Sequence, residues 1–379
     1  MTELKVDNII DAAGTGKPNF STGVTVAGAA TSTLNLGEYN GSSSEPSSPE
    51  NGSIWWDTTN EKIFIYIAGE WKETIGIAAG IAWGGDRGVT AGGWSPSSGH
   101  TRNDTIQYFD ITTPSNASDF GNLTSTRSGA GAVSNGTRGL FAGGRSGSGY
   151  TNLNIIDYIT VASTGNATDF GDLSTARNHT AGAGDGTYGL FGGGGDTHEN
   201  TIDYLTVAST GNASDFGDLT VARYHIGTGG DATRGIFGGG NKSGGSGSGN
   251  TIDYVTYTSP SNATDFGDLT NATSRGAACS DATYTVFIKN EGSNAIEYIT
   301  TQTAANATDF GDLLSNKDYT TACSNGTYGV FAGGSANSDV TSAVNAIEYV
   351  TIASTGNASD FGDLILILYQ GIATSGNAS

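Results

Sequence analysis

The stretch Asn166 to Leu173, NATDFGDL, is one of six near-identical octets, the others beginning at Asn116, Asn212, Asn262, Asn306 and Asn357. Successive starts are 50, 46, 50, 44 and 51 residues apart, so one supersecondary unit is built again and again. That period belongs to four-stranded propeller blades, not to helical solenoids or short β-helix coils.

Working outward from the octet of the second repeat, Ser128 to Gly144 (SGAGAVSNGTRGLFAGG) reads as two strands joined at Asn135-Gly136, a dipeptide suited to a type I′ hairpin turn. A loop follows, then a third strand in Asn154 to Ser163 (NIIDYITVAS), whose two faces both carry apolar residues, as expected of a sheet covered on both sides. The distance from the third-strand tyrosine to the octet phenylalanine is always twelve: Tyr108 to Phe120, Tyr158 to Phe170, Tyr204 to Phe216, Tyr254 to Phe266, Tyr298 to Phe310 and Tyr349 to Phe361. The connection between the second and third strands varies in length. It runs to about ten residues in repeats one, two, four and six, and is short in three and nearly absent in five. Length changes are cheap in surface loops and costly inside packed sheets, so these loops are expected to gather on one face.

Composition agrees with an all-β chain. Sixty glycines and 14% charged residues in 379 positions describe short strands and tight turns, while 16 tyrosines and 14 phenylalanines supply core surface. The formal charge of −21, from 16 Lys and Arg against 37 Asp and Glu, disfavours nucleic acid and anionic lipid as partners, and no basic patch is visible along the chain. The opening MTELKVDNIIDAAG lacks the apolar core of a signal peptide, and no apolar run reaches the length of a membrane span, so an unsecreted, soluble chain is expected. Cys279 and Cys323 fall in the same register of successive repeats, too far apart for a disulfide, and are expected to be small buried residues.

The order of landmarks resembles the kelch repeat over residues 77 to 379: an apolar strand ending in Gly-Gly (Gly92-Gly93, Gly143-Gly144, Gly193-Gly194, Gly239-Gly240, Gly333-Gly334), a tyrosine strand, an aromatic, then an arginine opening the next unit. The chain departs from that pattern in carrying Phe where kelch proteins usually carry Trp. Repeat five replaces the glycine pair with Ile288-Lys289-Asn290, and Arg127, Arg177 and Arg223 are followed by a displaced Arg275, then Lys317 and Leu368. The resemblance implies a β-propeller that binds through loops, without specifying a ligand. Six octets predict six blades, with seven as the alternative. One closure has the C-terminal strand from Tyr369 onward inserting into the first blade, which removes exposed edges.

All five tryptophans, Trp55, Trp56, Trp71, Trp83 and Trp94, precede the octets, which places a boundary near residues 75 to 77. The expected organisation is an extended N-terminal segment (1–36), a Pro/Ser-rich linker with a small Trp-rich β-meander (37–76), and the propeller (77–379). Within the meander the strands are SIWWDT, KIFIYI and EWKET, with turns at Asn60-Glu61 and Ala68-Gly69. ELKVDNI, KPNFSTGVTV and PSSPENGSIWWDTTNEKIFIYIAGEWKE resemble the N-terminal parts of virion structural and tail-fibre proteins of tailed bacteriophages, particularly those of marine cyanobacteria. That resemblance covers about the first 75 residues. It implies N-terminal docking to other virion proteins, with Phe20, Trp55, Trp56 and Trp71 as docking or subunit contacts. It also implies assembly in the host cytoplasm, a place on the tail or particle surface, and a homo-oligomer such as a trimer.

No enzyme motif survives scrutiny. DFG lacks the accompanying kinase motifs and recurs six times; the paired acids of DFGD offer at most two ligands where calcium wants six or more oxygens, so they read as turn and cap residues. The octet asparagines read as Asx turns. His100, His179, His198 and His225 show no metal-ligand spacing and read as scaffold or surface residues. No catalytic residue, metal or cofactor is predicted. Trp94, His100, Tyr150 and His198, all in or beside the variable loops, are the candidate ligand-binding residues, for a host cell-surface glycan or protein. The alternative is an adaptor or decoration protein of the tail or capsid with a purely structural role.

Overall fold

In a computed structural model of the protein, residues 85–95, 101–147, 150–242, 247–289, 292–337 and 339–376 are described, residue 340 as backbone only, and residues 54–57, 62–67 and 70–73 as backbone strands. Phe20 and His100 lie outside the described residues, as do the side chains of Trp55, Trp56 and Trp71. The chain divides into two compact units, Met1–Gly76 and Ile77–Ser379. In the first, Ile54–Asp57, Lys62–Ile67 and Glu70–Glu73 form a three-stranded antiparallel meander.

Among the described residues of the second unit there are six four-stranded antiparallel sheets, each a meander in chain order except one. The sheet of the second repeat runs Gly131–Ser134, Arg138–Ala142, Ile155–Thr160, Thr168–Asp172. The exception takes its first strand from the C-terminus: Ile372–Gly376 pairs antiparallel with Arg87–Ala91, which pairs with Thr105–Asp110 and then Ser118–Asn122. First strands of successive sheets touch one another, and Ile372–Gly376 touches those of both the second and the sixth repeat. Such convergence leaves little room for side chains, which accounts for part of the glycine content: a Cβ on Gly182 would stand 2.1 Å from the Ala132 carbonyl oxygen.

The sheets pack face to face. Val133, Leu140, Ile156 and Phe170 of the second repeat meet Phe191, Leu205 and Val207 of the third in one buried cluster, and Phe109 and Ile111 of the first meet Val330, Phe361 and Leu364 of the sixth in another. The constant spacing of twelve is a ring contact. In all six sheets the tyrosine and phenylalanine meet edge to face, with centroids 5.6 to 6.0 Å apart.

DFG is not a turn, as the sequence suggested, but a β-bulge inside the fourth strand. Asp157 pairs with Asp169 and Ile156 with Gly171, so Phe170 is the extra residue, swung into the core. The bulge gives Gly171 a φ of +149°, and a Cβ there would stand 2.4 Å from the carbonyl oxygen of Gly211, the residue just before the next octet. The octet asparagines are likewise not Asx turns. The Asn212 side-chain oxygen accepts from the backbone N–H of Asp172 at 3.1 Å, and the same bond joins Asn122 to Asn166, Asp218 to Asn262, Asp268 to Asn306, Asp312 to Asn357 and Asp363 to Asn116. The first hairpin also differs from expectation. Among its loop residues only Gly136 has positive φ, and the Asn135 side-chain oxygen accepts from the N–H groups of Thr137 and Arg138, an Asx turn in place of type I′.

The arginine that opens three of the units is structural. Arg127, Arg177 and Arg223 are buried and paired with the buried third-strand Asp157, Asp203 and Asp253, whose carboxylates also accept from Thr124, Ser174 and Thr220. Lys317 and Glu348 repeat the pair at 2.5 Å. Cys279 and Cys323 are free and buried; burial pushes the Cys323 thiol up to about 12.

Candidate functional site

Seven described non-glycine residues have left-handed backbone: Tyr150, His179, His198, His225, Arg275, Tyr319 and Gln370, with φ from 50° to 62°. A non-glycine residue there carries a strain of about 1 kcal/mol or more. Five of them, His179, His225, Arg275, Tyr319 and Gln370, occupy one repeated position just before the first strand, two residues ahead of it except for Arg275, which is three ahead of Ala278–Ser280; Gly129, φ +63°, fills the position in the second repeat. The six residues follow one another around the site. Backbone N–H groups of Gly129, His179 and Tyr319 donate to the carbonyls of Gln370, Gly129 and Arg275.

This position explains the displaced arginine. Residue 273 makes the contact that Arg177 makes in its own repeat, its carbonyl accepting from the glycine-pair N–H, so Arg275 is the counterpart of His179 and not of Arg177. The ring residues line the mouth of a cavity of about 200 Å³, walled by the first strands of all six sheets. Because strands alternate in direction, the loops between second and third strands lie at this same end.

Aromatic and basic side chains crowd the mouth. The His179 and His225 rings are 3.9 Å apart, Tyr224 lies 4.4 Å from His225, His198 lies 4.8 Å from Tyr224, and Tyr319 bridges His225 (5.1 Å) and Tyr369 (4.5 Å). The Arg275 guanidinium sits 5.0 Å from the Tyr319 ring centre and 4.0 Å from the Asp318 carboxylate. Burial, and then Arg145, Arg102 and Arg275, holds the His179 imidazole down at about 3; burial and then His179 and Arg275 hold His225 well below the ordinary histidine value. Both rings are therefore neutral at physiological pH, and both His225 nitrogens are buried without a hydrogen-bond partner among the described residues. Among the described residues no group of three or more His, Cys, Asp and Glu side chains is placed to hold a metal ion.

Beside the ring is a second recess of about 430 Å³, lined by Trp94, Arg102, Ser128, Arg145, Tyr150, His179, Asp339, Tyr369 and Gln370. The structure thus brings Trp94 and Tyr150 together, and joins His198 to the ring through Tyr224. Sequence reasoning missed the ring itself, and it missed that Arg102, Arg145 and Arg275 meet at one end despite the overall negative charge. The signal was available: in aligned repeats, the residue just ahead of the first strand changes chemistry from one repeat to the next.

No protein-family model matches this chain, and no curated protein matches it in sequence.

Proposed function

We propose that the chain is a binding protein of a bacteriophage virion: a six-bladed, kelch-like β-propeller whose ring end contacts the host surface, with the N-terminal region docked to other virion proteins. The observation that carries the binding role is the ring. A scaffold would accept glycine at every position of this kind, as at Gly129, yet five bear His, Arg, Tyr or Gln in a strained conformation. Side chains kept at such a cost, converging at one mouth, support a role in contact with a ligand. The virion assignment rests on the resemblance of the first 75 residues, and a homo-oligomer such as a trimer would multiply weak contacts.

The test is competition. Purified full-length protein should block adsorption of the parent particle to its host, and the Tyr319→Ala, Arg275→Ala double variant, folded by circular dichroism, should lose at least about tenfold in potency. Undiminished competition by the variant would remove the ring from the contact.

A structural adaptor role is favoured by one specific feature. Leu314 and Ile365, 58% and 52% exposed, occupy the position held by Thr124, Ser174, Thr220 and Thr270 elsewhere, and stand in successive repeats. Particles carrying Leu314→Thr and Ile365→Thr that assemble normally would count against that reading.

A further inference from the structure

We propose that the recess beside the ring binds the carboxylate of an acidic sugar, with Arg102 as the anion contact and Tyr150 as the stacking surface. The inference rests on the recognition role argued above and names the ligand class.

Arg102 is held as a prepared cation. Its guanidinium carbon lies 4.3 Å from the Trp94 ring centre and 5.1 Å from that of Tyr150, so the planar group is flanked by two aromatic rings. Its Nε donates to Ser128 Oγ at 3.0 Å and Nη1 to the Gly147 carbonyl at 2.6 Å, both neutral acceptors. Nη2 makes no hydrogen bond among the described residues, and no carboxylate there pairs with Arg102. The neighbouring Arg145 is already paired with Asp196, and its guanidinium lies 5.8 Å from the Tyr150 ring. Burial, and then Arg145, pushes the Arg102 guanidinium down from its ordinary value, a penalty that an anion in the recess would relieve. In a chain of net charge −21 this guanidinium has no carboxylate partner among the described residues, and a guanidinium fork suits the two oxygens of a carboxylate.

The rest of the recess suits a pyranose ring. Tyr150 is 59% exposed and held with φ 53°, offering an aromatic face for sugar C–H groups, while Gln370 and Asp339 offer hydrogen-bonding edges for hydroxyls. Among the described residues Asp339 is the one carboxylate on the wall, and it sets a second condition: a phosphate dianion is less welcome than a monoanionic carboxylate.

Full-length protein should be titrated with D-glucuronate, D-glucose and inorganic phosphate, with binding read by saturation-transfer NMR and calorimetry. Glucuronate should bind, glucose at least about tenfold more weakly, and phosphate more weakly than glucuronate. Arg102→Ala should abolish the preference for glucuronate, Arg102→Lys should restore part of it, and Tyr150→Ala, at an exposed site that tolerates truncation, should remove saturation transfer to the sugar ring protons. Equal binding of glucose and glucuronate would overturn the proposal, as would glucuronate binding indifferent to Arg102, or tighter binding of phosphate or of a tetraglutamate peptide. Failure here is separable from failure of the recognition role. Loss of adsorption with the ring variant but no glucuronate binding would sink the acidic sugar alone; Arg102-dependent glucuronate binding without any effect of ring or recess variants on adsorption would sink the host-recognition reading alone.

Discussion

The backbone N–H of Asp363 donates to the side-chain oxygen of Asn116 at 3.0 Å, joining the last octet of the chain to the first. Beside it, the Ala117 N–H donates to the Asp363 carbonyl at 2.8 Å. These are the bonds that link every other pair of successive octets, here made across nearly the whole second unit.

Asn116→Ala should therefore destabilise the protein by about 1 kcal/mol, the worth of one hydrogen bond. Asn212→Ala removes the same bond between repeats two and three and should cost a similar amount in denaturant unfolding. The two should differ in limited proteolysis: only Asn116→Ala loosens the contact between the two ends of the unit, so the C-terminal strand Ile372–Gly376 should be cut sooner in it.

Gly171→Ala should be among the most damaging single-methyl changes available. The added Cβ would meet backbone at 2.4 Å, in a φ region that alanine avoids, for an expected loss of about 2 to 4 kcal/mol. Gly247→Ala is the control, since a Cβ there has open space around it, and its melting temperature should stay within a degree or two of the parent.

Leu314→Thr should stabilise the fold. In the preceding repeat Thr270 donates its hydroxyl to the Glu297 carboxylate, whereas Leu314 offers the equivalent Glu348 only its backbone N–H at 2.8 Å. Supplying the hydroxyl and removing an exposed leucine should add about 0.5 to 1 kcal/mol, read as an increased denaturant midpoint without a change in slope.

Acid should weaken the ring end specifically. His179 and His225 have folded-state values depressed below the ordinary 6.5, so the unfolded chain binds more protons as pH falls. Their contribution to stability is intact above about pH 6.5 and is lost progressively toward pH 3 for His179. The double variant His179→Gln, His225→Gln should flatten the stability profile between pH 6.5 and 4.5, measured by thermal melts in matched buffers.

The sequence made the repeat legible because the packing that defines a sheet is local. Tyr158 and Phe170 are twelve residues apart and touch within one sheet, so their spacing survives in the chain as a period. The all-β class and the meander of Ile54 to Glu73 followed from the same short-range patterning. The octet was visible, but its role was not: Asn212 serves Asp172 of the preceding repeat, and no spacing inside one unit reveals a bond made to another.

The candidate site was legible only in pieces. Trp94, Tyr150 and His198 stood out as aromatic or polar residues in variable loops, and the fold gathers them at one end. Arg275 read as a displaced copy of Arg177 until the backbone register showed it to be the counterpart of His179.

From the chain alone came the repeated unit, its strands and the surface on which variation is tolerated, because these depend on neighbours a dozen residues away. The ring, the left-handed backbone that holds it and the meeting of Arg102, Arg145 and Arg275 were decided by tertiary structure. Residues from 129 to 370 become adjacent only where first strands converge, and that convergence is set by packing between sheets, which leaves no periodic mark on any one of them.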